Sequence, residues 1–163
     1  MQNKSMFEPD SPASECGFDD LLVQAASLVA GQNDRVANAA NLSALLFYAL
    51  DRVNWVGFYF LHGDQLTVGP FQGRPACVSI PLGKGVCGTA AETRRIQRVA
   101  DVHAFEGHIA CDAASRSEIV LPLIRDGALI GVLDLDSPVR NRFDDKDERF
   151  LQEIADLYVR SLA

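Results

Sequence analysis

Residues 117–137 read SEIVLPLIRDGALIGVLDLDS, two apolar runs, Ile119 to Ile124 and Ala128 to Leu135, joined across Asp126 and Gly127. An Asp-Gly pair between such runs is a strong hairpin signal, because the tight turn that matches strand twist needs positive φ at both central residues. A regular two-residue hairpin pairs Arg125 with Ala128, and counting back sets Ile119 against Asp134 and Glu118 against Leu135. Opposed residues share a face, so that register points Glu118 away from both Asp134 and Asp136.

Working outward, the stretch from Asp101 to Ser117 has no sustained period and reads as a long functional loop. Before it lie a short strand, Gln97 to Ala100, and the segment PLGKGVCGTAAETRR, whose glycines give way to helix-favouring Ala and Glu with Cys87 near the helix start. WVGFYFL, from Trp55 to Leu61, reads as a strand covered on both faces; Gly63 and Asp64 turn it into short strands at Gln65 to Val68 and around Val78 to Ile80. Two helices precede these, one from Phe18 to the stop at Gly31 and one starting near Asn33 or Asp34. Another, capped by Asp144, ends the chain. The order lacks the regular alternation of a doubly wound parallel sheet and predicts an α+β fold, with 1–17 as a flexible tail and 18–163 as a single domain.

With 15 Lys plus Arg against 22 Asp plus Glu, the net charge of -7 argues against nucleic acid as a partner. No run approaches the roughly 18 to 20 apolar residues of a membrane helix. The first residues also lack the basic start and apolar stretch of a secretory signal, so the expected location is the cytoplasm. Cys16 falls in the tail, whereas Cys77, Cys87 and Cys111 share the Gly-rich middle of the chain. In a reducing compartment such thiols are buried, metal-bound or redox-active.

Cys111 stands beside His108 and just before an Ala-rich stretch able to form one helical turn. A helix start and a nearby imidazolium both lower a thiol pKa. The bland alternative, a buried cysteine acting as a small hydrophobe, fits poorly with Asp112 and the polar loop. For Cys77 and Cys87 the readings are a resolving thiol or ordinary packing; zinc, using these thiols with His103, His108 and Cys111, is disfavoured because no Cys-x-x-Cys pair is present. Glu118, Asp134 and Asp136 flank the hairpin strands at the ends away from the turn. Acids gathered there would suit a ligand ammonium and would raise one pKa, leaving a proton donor near neutral pH; scattered, they would be solvated strand ends. Trp55 and Tyr59, four apart on one strand, point to one face, as core or as the wall of an apolar pocket. GKG at 83–85 lacks the P-loop spacing.

The runs DRVANAANLSALL, NWVGFYF, GPFQGRPAC, GKGVCG, DVHAFEGHIACD, SEIVLP and GVLDLDS together resemble the free methionine-R-sulfoxide reductases, over nearly the whole chain from about Leu21. Glu106 departs from the family pattern, which often has proline there. The resemblance implies the GAF fold, an antiparallel sheet with helices on both faces. It also implies thiol-dependent reduction of free methionine-R-sulfoxide, recycled by a thioredoxin-like protein, with no metal or organic cofactor and a homodimer among the assemblies it allows. It makes Cys111 the nucleophile that becomes a sulfenic acid, Cys77 the resolving thiol and Cys87 an auxiliary one. Glu118, Asp134 and Asp136 then line the substrate site, Glu118 or Asp136 donating a proton, with Trp55 and Tyr59 on its apolar side. The rival reading is a GAF module that binds a small molecule and signals without chemistry; the chain shows no attached output domain. A shared site for Glu118 and the two aspartates contradicts the regular hairpin, so a bulge, an odd loop length or a Glu118 outside the ladder is expected, and Pro122 suits a bulge or an edge.

Overall fold

The computed structural model of the chain describes residues 17–109 and 111–163, so the expected tail lies almost entirely outside the described residues. Helices α1 (Phe18–Val29) and α2 (Arg35–Ala49) come first. Strands β1 (Trp55–His62), β2 (Gln65–Gly73) and β3 (Ser79–Pro81), helix α3 (Gly85–Thr93) and strand β4 (Gln97–Val99) follow. The hairpin β5 (Ser117–Arg125) and β6 (Ala128–Ser137) and the helix α4 (Asp145–Ser161) complete the order. The six strands form one sheet in the order β3-β2-β1-β6-β5-β4, every pair antiparallel.

Period-two alternation divides the core into two layers. Val56, Phe58, Phe60, Ile119, Leu121, Leu123, Leu133 and Leu135 bury one face of the sheet under α1, α2 and α4, through Leu21, Leu42, Leu46, Leu151 and Ile154 among others. Trp55, Tyr59, Val120 and Val132 turn to the other face, where α3 covers them with Val86, Cys87, Ala90 and Ala91. Helices therefore lie on both faces, three on one and α3 on the other. No helix among the described residues is long and apolar enough to cross a membrane.

The hairpin resolves the register conflict with a bulge. Asp126 and Gly127 both have positive φ, 51° and 78°, as the tight turn requires. Arg125 faces Ala128 and Ile124 faces Leu129, but Leu123 then faces Gly131, so Ile130 is the extra residue. From there Val120 opposes Asp134 and Glu118 opposes Asp136, which brings all three acids to one face. Gly131 follows the bulge where a Cβ would collide with the carbonyl oxygen of Tyr59. Pro122 stays in the ladder opposite Val132, past the point where β4 stops pairing with β5 at Val120, so its missing N–H lies beside a free stretch of strand.

One strand runs further than its composition suggests. β2 continues to Gly73 rather than stopping at Val68, because the register against β1 shifts between Gly57 and Tyr59 and lets the Gly69–Pro70 pair bulge without ending the ladder. The expected loop from Asp101 ends at Arg116, since Ser117 already opens β5; its described residues are irregular apart from a 3-10 turn at Val102–Ala104.

Candidate active site

Beneath α3, at the strand ends far from the hairpin turn, lies a cleft of about 510 Å³ counting its open mouth. Its sheet wall consists of Trp55 and Tyr59 from β1, Glu118 from β5, and Asp134 and Asp136 from β6; α3 adds Cys87 and the 105–116 loop adds His108, Ile109, Cys111, Asp112 and Ser115. Cys77 does not reach the wall but is disulfide-bonded to Cys111, with the two Cα atoms 5.6 Å apart. Cys87 is the free thiol among the described residues, buried with its Sγ 3.8 Å from Glu118 Oε1. The aromatic pair has two tasks. Trp55 stacks on Phe71 and donates from Nε1 to the Arg74 carbonyl at 3.1 Å, while the Tyr59 hydroxyl donates to the Cys77 carbonyl at 3.3 Å; together they hold the segment that carries Cys77.

The electrostatics of the cleft follow from burying three acids together; Lys84 also lines the cleft, but no lysine or arginine of the described residues is ion-paired to them. Burial raises the Glu118 carboxyl well above the usual range, and Asp134 and Asp136 add to the rise. Burial, then Asp134, raises Asp136 in the same direction. Asp134 is pushed up to about 6 by burial, hydrogen bonding with Glu118 and Cys87 working against the rise. Like charges this close cannot all ionise, so the cluster retains a proton near neutrality. The Asp134 Oδ1 atom is buried without a hydrogen-bond partner, an acceptor left open beside the cleft. Burial and the same acids raise the Cys87 thiol, which outweighs its place in the first turn of α3 and leaves it a poor nucleophile.

Two expectations about Cys111 need correction. The Ala-rich stretch after it is not helical: Asp112 Oδ1 accepts from the Ala114 N–H at 2.9 Å, forming a local turn that competes with a helix start. No helix starts in the residues that follow Cys111, 112–116. The neighbouring His108 is pushed down by burial and by His103, so its neutral form is favoured over the expected imidazolium.

The chain matches the model of the GAF domain over residues 39–163. It is 54% identical over 137 residues to the free methionine-R-sulfoxide reductase of Escherichia coli, covering 84% of this chain and 83% of that protein. It superimposes with a TM-score of 0.87 on the structure of fRMsr of Staphylococcus aureus in complex with substrate, at 53% identity over 91% of this chain and 97% of the other. With the free methionine-R-sulfoxide reductase from Neisseria meningitidis, also in complex with its substrate, the TM-score is 0.86 at 42% identity over 98% and 95%. The chain belongs to the free methionine-R-sulfoxide reductase family.

Within this free methionine-R-sulfoxide reductase fold, two residues anchor the Cys111 loop that sequence reasoning did not single out. Asn54, just before β1, donates from Nδ2 to Asp112 Oδ2 at 3.2 Å and to Ser115 Oγ at 3.3 Å, and its backbone N–H donates to the Asp136 carbonyl. Ser115 is itself buried and hydrogen-bonds Asp136, which opposes the rise of that carboxyl. Neither residue belongs to a periodic pattern or a reactive type, so nothing in the sequence marked them. Among the described residues, the donor set that converges as a cation could use is Cys87, Glu118 and Asp134, with ligand atoms all within 4.8 Å of one another. It differs from the cysteine and histidine set considered from the sequence.

Proposed function

We propose that this chain reduces free methionine-R-sulfoxide to methionine, with Cys111 attacking and Cys77 resolving. The observation that carries the reading is the Cys77–Cys111 disulfide at a cleft where Glu118, Asp134 and Asp136 gather without an ion pair to any lysine or arginine of the described residues. The substrate is that named for the E. coli and N. meningitidis relatives. Its ammonium fits the ionised member of the acid cluster, and Trp55 and Tyr59 supply an apolar wall for its methyl end.

In the reaction a protonated carboxyl, Glu118 or Asp136, gives its proton to the sulfoxide oxygen as the Cys111 thiolate attacks sulfur. The sulfoxide sulfur gains two electrons and leaves as methionine, while the Cys111 sulfur loses two and keeps the oxygen as sulfenic acid. The Cys77 thiol condenses with it, forming the S–S bond and releasing the oxygen as water. An external dithiol then reduces the disulfide to two thiols. A thioredoxin-like protein is the proposed dithiol, in the cytoplasm, acting on one domain spanning 18–163, as monomer or homodimer. Cys87 has an auxiliary part, as a hydrogen-bond partner that opposes the rise of the Glu118 carboxyl set by burial and the neighbouring acids. The sensor reading has no observation that favours it over this one.

Methionine release from each free sulfoxide epimer, with dithiothreitol as reductant, tests the reading. Turnover of the R epimer alone is expected. Release from neither epimer, or from the S epimer alone, would overturn it.

A further inference from the structure

One proton of the proposed cycle still needs a route to the site. When a buried carboxyl has protonated the sulfoxide oxygen, it is an anion among other acids, and it must regain a proton before the next substrate. Glu118 is 6% exposed, faced by Cys87 from α3, Tyr59 from β1 and Asp134 and Asp136 from β6. Water reaches it poorly. On its remaining side stands His108, whose Nε2 lies 3.9 Å from Glu118 Oε2. The His108 side chain is 13% exposed and lines the cleft mouth; the exposed His103 meets it edge to face, with ring centroids 6.4 Å apart.

We propose that His108 is the proton relay that recharges Glu118 from solvent, with His103 as its outer station. The inference rests on Glu118 being the acid that protonates the sulfoxide. An imidazole suits the task because its two nitrogens can take a proton at one and release it at the other, and because its charge changes near neutral pH. Resting neutral, as burial and His103 favour, His108 forms no fixed ion pair with Glu118 and is free to be protonated from outside. At 3.9 Å the pair is not hydrogen-bonded; one water or a small ring rotation closes the gap. Each cycle then runs from water through His103 and His108 to the Glu118 carboxylate. The proton matches the one that Cys111 releases on becoming a thiolate again, so none is gained or lost over the turnover.

A relay differs from a wall residue in which turnover it affects. In reduced enzyme Glu118 already holds its proton, so His108→Ala should cost the first methionine release far less than it costs the later turnovers. The later turnovers should slow by about tenfold or more when dithiothreitol is raised until the rate no longer depends on it. Added imidazole should restore them, and His103→Gln should show a smaller deficit of the same kind. His108→Gln, which keeps a polar side chain but cannot relay, should behave as His108→Ala does without imidazole. An equal loss in the first turnover, or no rescue by imidazole, would make His108 a structural residue and overturn the relay. Glu118→Gln separates the two levels. If it leaves the first turnover intact, the donor reading fails; if it slows the first turnover while His108→Ala matches wild type throughout, the relay alone fails.

Discussion

Asp147 and Glu118 are both buried acids, each 6% exposed, and they are treated in opposite ways. Asp147 faces Arg142, whose Nη1 lies 3.1 Å from its Oδ2, and the same oxygen accepts from the Asp144 N–H at 2.9 Å. Arg142 also reaches Asp51, through Nη2 to the carboxylate and Nε to the carbonyl, and so ties the turn after α2 to the start of α4. Glu118 has a high-pKa thiol, two more carboxyls and a histidine that prefers to be neutral. A paired acid has its charge satisfied by the fold and serves to hold it. An unpaired set costs stability at neutral pH, and in this molecule it borders the cleft where the proposed reaction would hold the ammonium of a zwitterionic substrate and supply a proton.

The largest effect expected is at the thiol beside the unpaired set. If Cys111 is the attacking thiol, Cys111→Ser should abolish methionine release even with a strong chemical reductant, since among the described residues Cys77 does not line the cleft and burial makes Cys87 a poor nucleophile. More than trace turnover would remove Cys111 from its role. Cys77→Ser should still release about one methionine per enzyme in a single-turnover assay and then recycle poorly with thioredoxin. Undiminished recycling would move the resolving step to Cys87.

Next comes the contrast between the two acid sites. Glu118→Gln should lower the first-turnover rate by about 100-fold or more while leaving stability in urea equal or higher, because it removes a carboxyl that no cation pairs. Arg142→Ala should do the reverse. It strands the buried Asp147 and should cost about 3 to 5 kcal/mol, with kcat of the folded fraction unchanged. If Glu118→Gln destabilises the fold as much as Arg142→Ala, the distinction between holding and reacting acids collapses.

The sequence carried much of this, and where it stopped is physically clear. Alternation in WVGFYFL placed Trp55 and Tyr59 on one face, and the hairpin signal located β5 and β6, because burial on a pleated sheet imposes period two. The conflict between the hairpin register and a shared acid site required a break, but not its place. Ile130 is an ordinary strand residue, and what fixes the bulge there is the approach of Gly131 to the β1 backbone, a tertiary contact. Likewise the Gly69–Pro70 pair reads as a strand end until β1 is beside it. Loop residues such as Asn54 and Ser115 act through contacts distant in sequence, so no window along the chain displays them.

A smaller effect sharpens the comparison through pH. Asp134 moves from an ordinary 3.8 to about 6 on folding. The folded state therefore holds this proton more tightly than the unfolded chain does. The stability it gives is fully present below the unfolded value and lost as pH rises through about 6. Asp134→Asn should flatten that decline, so that the variant matches or exceeds wild type at pH 7 in urea titrations. A wild-type stability that rises between pH 4 and 6 relative to the variant would reverse the sign and mean that Asp134 is paired after all.

The smallest effect concerns the paired region. Asp144 Oδ1 accepts from the Lys146 and Asp147 N–H groups at 2.8 and 2.9 Å, while its own N–H donates to Asp147, so the cap and the Arg142 pair share Asp147. Asp144→Ala removes the side-chain bonds but keeps the backbone one, so Asp147 stays fixed and only the cap is lost. The expected cost is about 1 kcal/mol, a fall in Tm of about 2 to 4 °C for a chain of this size. Asp144→Asn should lose less because it keeps an acceptor oxygen. The backbone N–H of Asp147, foremost, holds the Asp144 carboxyl below its ordinary range, so its contribution is present above that range and fades as pH falls. The gap between wild type and Asp144→Ala should therefore narrow in acid, the opposite direction to the Asp134 effect. Turnover should not change in either variant, because α4 lies on the face of the sheet opposite the cleft. A drop in kcat at unchanged fraction folded would show that the paired acids reach the site through the sheet, and the two regions could no longer be treated as separate.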